Sequence, residues 1–186
     1  IGKTDKRIER MKKLFELLVT PNKNNLEKGE FTFNTAEGYL VKEASSFKEW
    51  ESKAEEVESS TKKIVLVGKD GMAGEIGLNK AYRTELVETH EFKTGEISSL
   101  LRALGQKKGD PRSYVIGDRV YPTNDFGGKE SSQIIRDINY QIAIALKHGK
   151  DPVNVVQLSD TTMQTSLAGI FDNPGARKVG ASGTLD

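Results

Sequence analysis

The stretch SSQIIRDINYQIAIALKHG, residues 131–149, decides how this chain is read. It is the longest segment whose apolar residues recur at helical spacing. Ile134, Ile138, Ile142 and Ala145 fall on one stripe, and Ile135 and Leu146 widen it. Ala143 and Ile144 make the second half apolar nearly all round, which is the pattern of a helix covered on most sides. Ser131 or Ser132 is placed to cap its first turn. Lys147 and His148 sit where the negative end of a helix dipole favours cations. Gly149 suits a left-handed stop, and Pro152 follows. The spacing predicts a core helix over 131–149.

Other elements gather around it. Residues 4–19 predict a helix with Ile8, Met11, Phe15 and Leu18 inward and Lys6, Arg10, Lys12 and Lys13 outward. Residues 46–59 predict another: Ser46 and Glu49 have capping-box spacing, and Phe47, Trp50, Ala54 and Val57 make the inner stripe. Its other face is acidic. A shorter helix is expected over 96–104. The continuous apolar run at 63–67 reads as a strand in the middle of a sheet. Residues 30–43 and 113–121 read as β-hairpins, the second turning at Gly117-Asp118. Residues 78–92 fit strand or helix, and 153–158 fits a further strand. The expected fold class is α+β: a mixed sheet with two hairpins, packed by three to four helices. Residues 1–159 form the expected domain. Residues 160–186, small and polar, form an extended C-terminal arm.

Composition excludes several classes of function. With 186 residues the chain suits one domain. It has no cysteine, which removes disulfides, thiolate-bound metals and a thiol nucleophile. A net charge of +1 gives nucleic-acid binding no general support. No apolar stretch is long enough to span a bilayer, and no secretory signal is visible. The expectation is a protein that is not secreted and works in the cytoplasm or within a virion.

The candidate chemistry lies at Glu91-Phe92-Lys93, with Asp70 upstream. An acid and a lysine two apart on a strand share one face, where the carboxylate holds a metal ion and the lysine positions water. This pattern resembles the second motif of the PD-(D/E)xK nucleases. The resemblance covers about 70 residues and implies a Mg²⁺ site built from Asp70, Glu91 and Lys93, with Glu51 or Glu55 as an extra acid. Lys69 stands where that family usually has proline. The competing reading of Glu91-Phe92-Lys93 is a solvated edge strand.

Glycines 68, 71, 74 and 77 after the apolar strand lack dinucleotide spacing and read as a flexible connection. Lys107, Lys108 and Arg112 form a basic loop that suits phosphates or an acidic partner; a solvated face is the default. In the arm, Leu167, Ile170 and Phe171 are spaced as a docking turn, and Leu185 is a second anchor.

The preferred reading is a structural or assembly subunit without catalysis or cofactor. It would self-associate or dock partners through the arm, as small subunits of viral and phage particles do. The alternative is the Mg²⁺-dependent nuclease.

Overall fold

The structure, a computed structural model, describes residues 2–69, 76–129 and 135–156. Helix α1 (Gly2–Leu18) buries Ile8, Met11, Leu14, Phe15 and Leu18, whose three- and four-residue spacing puts them on one side. It leads into strand β1 (Val19–Pro21), which pairs antiparallel with β2 (Phe31–Phe33). Between them a 3-10 segment, Lys23–Lys28, is capped by the Asn22 side chain and closed by Gly29 at φ 71°.

Strand β3 (Leu40–Ala44), helix α2 (Phe47–Glu58) and strand β4 (Ile64–Gly68) form a strand–helix–strand crossover, with β3 and β4 parallel. Ser46 caps α2 by accepting the Glu49 N–H at 3.1 Å. Strand β5 (Ile76–Leu78) pairs antiparallel with the other edge of β4. The apolar run is therefore central, as its composition requires. Ile64, Val65 and Leu66 are all buried, so both faces of β4 are covered. Trp50 of α2 covers the Leu66 face: its ring lies 3.7 Å from where a Cβ on Gly77 would stand, and Gly77 is opposite Leu66.

Asn79 joins this sheet to helix α3 (Lys80–Glu88). Its buried side chain accepts the Ile64 N–H at 2.8 Å and donates to the carbonyls of Ser60 and Lys62 at 2.9 and 2.7 Å. Helix α4 (Thr94–Gly105) follows, then the hairpin β6 (Tyr114–Ile116) and β7 (Val120–Pro122). Helix α5 (Ile138–Lys147) packs on α4 and α1, and the one-turn helix α6 (Pro152–Val155) packs on α5. Leu14, Leu100, Ile142 and Ile144 are buried in this helical layer. The fold class is α+β, with one mixed three-stranded sheet and two antiparallel pairs.

Several local expectations are corrected. The core helix starts at Asp137, whose side chain accepts the Tyr140 N–H; Ser131 and Ser132 lie outside the described residues. Ile135 precedes the helix and donates its N–H to the Val120 carbonyl at 3.2 Å. Residues 30–43 are not a hairpin: the two strands pair with different partners, β1 and β4. The second hairpin turns through Gly117, Asp118 and Arg119, since Ile116 faces Val120. Residues 80–88 are helical, and residues 152–155 form α6 rather than a strand. Phe47 is 67% exposed and does not join the inner stripe.

Candidate functional site

Glu91 and Lys93 lie between α3 and α4, not on a strand, so two-residue spacing does not put them on one face. Glu91 is left-handed at φ 59° and Lys93 is the N-cap residue of α4. What organises this loop is Arg10 of α1. Its guanidinium donates to both oxygens of Glu96 at 2.8 Å and to the Glu91 carbonyl at 2.8 Å. Glu96 also accepts the Lys93 N–H at 2.8 Å, so one carboxylate caps α4 and anchors α1. Burial pushes the Glu96 carboxyl up, but the Arg10 and Lys93 hydrogen bonds outweigh it and hold the group below the usual carboxylate range. Phe92 is buried beneath, 5.9 Å from the Arg10 guanidinium. Asp70 lies outside the described residues. Among those described, no group of three or more Asp, Glu or His side chains is placed to hold a metal ion.

The second cluster joins the ends of α4 and α5. Lys147 is buried, and its ammonium donates to the carbonyls of Ala103, Leu104 and Gln106 at 2.9, 3.5 and 2.5 Å. It thereby caps the C-terminus of α4, a neighbouring helix, rather than its own. Burial lowers its pKa to about 8. His148 Nδ1 stands 3.1 and 3.0 Å from the carbonyls of Leu26 and Glu27, and Nε2 stands 2.7 Å from the Tyr114 hydroxyl. Carbonyls only accept, so Nδ1 carries the proton and Nε2 accepts from Tyr114. Burial, with the Lys147 charge beside it, holds His148 at about 4, and burial raises the Tyr114 hydroxyl. Tyr140 donates to the Gln106 side chain and lies under the Arg102 guanidinium. Lys147, His148, Tyr114 and Tyr140 are buried, and their hydrogen bonds tie helix ends together.

The basic loop meets the loop after β7. Thr123 Oγ1 accepts the Ser113 N–H at 2.6 Å and donates to the Asp110 carbonyl at 2.6 Å. The Arg112 N–H donates to the Asn124 carbonyl at 3.3 Å, and the Arg112 guanidinium pairs with Asp125 at 2.9 Å. The Asn124 side chain accepts the N–H groups of Phe126 and Gly128 at 2.9 and 3.0 Å. The result is a cross-linked tip bearing Phe126, which is 94% exposed. Lys107 and Lys108 are exposed on the same tip, and Lys129 lies over the Tyr121 ring at 3.7 Å. Of the basic residues expected here, Arg112 is tied to Asp125. Phe126 was legible only as an apolar residue within the turn-forming run Asn124-Asp-Phe-Gly-Gly.

Among the described residues, no helix is long and apolar enough to cross a membrane. The arm residues Leu167, Ile170, Phe171 and Leu185 lie outside the described residues. No protein-family model, curated protein or solved structure matches this chain.

Proposed function

We propose that this chain is a non-enzymatic assembly subunit that associates with copies of itself, using residues 160–186 as an arm. Three described ionisable groups have structural partners: Arg10 with Glu96, Lys147 with three carbonyls, His148 with Tyr114. The observation that carries the reading is the edge strand β3. Leu40 is 46% and Val41 37% exposed there. The Leu40 N–H bonds toward β4, at the Lys63 carbonyl, so the alternate residue Val41 directs its backbone groups outward. An edge of this kind is a template for another chain.

Sedimentation or light scattering over a concentration range tests the proposal. The full-length chain is expected to form a concentration-dependent oligomer. Replacing Leu167, Ile170 and Phe171 together by Asp is expected to shift it toward the monomer. A full-length chain that stays monomeric at every concentration would overturn the reading.

A further inference from the structure

We propose that the Phe126 tip of one copy docks on the outer side of α2 of a second copy. This inference deepens the assembly reading and rests on it. The two surfaces are complementary in charge, and each carries an exposed phenylalanine.

On α2, Phe47, Glu51, Glu55 and Glu58 recur at four-, four- and three-residue spacing, so they share one side of the helix. That side lies next to the inner stripe of Trp50, Ala54 and Val57, yet Phe47 remains 67% exposed. Glu58 is paired with Arg83 at 2.6 Å. Glu51 and Glu55 have no ion-pair partner among the described residues, and like charges four apart on a helix repel. The side is thus an acidic strip with an aromatic group at one end, and its internal repulsion is relieved by an approaching cation.

The tip is the inverse surface. Phe126 projects from a turn fixed by Asn124, so little conformational freedom remains to be lost when it docks. The linked loops carry Lys107, Lys108, Arg112 and Lys129 against Asp110 and Asp125, so the tip's charge balance is positive. Gly127, at φ 86°, lies so close to the Gly109 carbonyl that a Cβ would stand 2.7 Å from it, so the two loops are in direct contact. An exposed aromatic side chain on a braced turn is the kind of residue that anchors a protein interface. A single projecting ring suits a protein surface better than a strand of bases, which needs a succession of stacking partners.

Phe126 and Phe47 are both exposed within one copy, so they do not bury each other. The contact joins two different patches of identical chains. Such a head-to-tail contact generates a ring or an open filament rather than a closed two-fold dimer.

Charge exchange in the full-length chain tests this. K108E/K129E makes the tip acidic, and E51K/E55K makes α2 basic. Each variant alone is expected to sediment as a smaller species than the parent, and F126S is expected to weaken association about tenfold. An equimolar mixture of the two charge variants is expected to recover the parent's size, because both alternating contacts are then complementary. A variant that merely misfolds is not rescued by mixing. Parent-sized assemblies from both charge variants would overturn the tip contact. If the Leu167, Ile170 and Phe171 variant still dissociates in that case, assembly stands and only the tip contact fails. Binding of a single-stranded oligonucleotide by the parent but not by K108E/K129E, with assembly unchanged, would also overturn it, assigning the tip to nucleic acid.

Discussion

The imidazole of His148 closes over Gly29: a Cβ on Gly29 would stand 2.8 Å from Cε1 and 2.9 Å from Nε2 of the ring. The contact is reciprocal. A Cβ on Gly149 would stand 2.9 Å from a methyl of Leu26, in the same 3-10 segment whose carbonyls accept from His148. Two glycines with positive φ thus let the turn after β1 and the end of α5 interlock. Replacing Gly29 by Ala combines left-handed strain with a collision, and the expected loss is about 2–4 kcal/mol in urea unfolding. Gly38 also has positive φ but nothing within 4 Å of its Cβ position, so Gly38→Ala is expected to cost only about 1 kcal/mol. Equal losses at the two sites would refute the interlock.

Stability is expected to fall in mild acid through His148. Its folded pKa of about 4 lies below the ordinary value of 6.5, so the unfolded chain binds the proton first. The stabilisation is full above 6.5 and is lost as pH falls toward 4. Between pH 7 and 5 the expected loss is about 2 kcal/mol. Urea midpoints across that range measure it, and His148→Gln should flatten the profile. Lys147 acts at the other end. Its pKa of about 8 lies below 10.5, so the unfolded chain holds more protons between those values and stability rises with pH there.

Arg10 and Glu96 are coupled across the α1–α4 contact by two 2.8 Å hydrogen bonds. Because the Arg10 side chain is more than a third exposed, water screens part of the attraction. A double-mutant cycle with Ala at both positions is expected to give a coupling energy of about 1–2 kcal/mol. Arg10→Lys should recover only part of it, since an ammonium cannot reproduce the two-pronged geometry. Strictly additive losses would count against the latch.

Glu91 contributes its carbonyl, not its carboxylate, to that latch. Its φ of 59° is costly for a residue with a Cβ. Glu91→Gly is therefore expected to leave stability unchanged or raise it by up to about 1 kcal/mol in thermal unfolding. A loss above that size would give the side chain a role that its position does not explain.

Much of the fold was legible because local chemistry and final environment agreed. The Ile64–Gly68 run demanded cover on both faces and has it. The stop was visible as a left-handed Gly149, whereas Lys147 and the neutral His148 bond carbonyls of α4 and of the turn after β1 rather than the end of α5. The start of the same helix was not. Ile135 continues the apolar spacing, yet its N–H bonds to Val120, and periodicity does not distinguish a helical residue from an extended one beside it. Phe31–Phe33 and Leu40–Ala44 were recognisable as strands, but alternation says nothing about partners; β3 found its own beyond an entire helix. Glu91 and Lys93 misled for a related reason. Their spacing has catalytic meaning only on a strand, and the residue that fixes their loop, Arg10, lies in the first helix. The exposure of Phe126 depends on how two loops cross-link, which no single stretch of sequence encodes.

The packing of α1 against α5 has a consequence for biosynthesis. Met11, Leu14, Phe15 and Leu18 are made long before α5, the later helix that packs on α1. While the ribosome adds the intervening residues, the apolar side of α1 has no native cover from α5. Contacts this distant along the chain close late and slowly. Helix α1 is therefore a segment for which chaperones and premature aggregation compete, until α5 clears the exit tunnel.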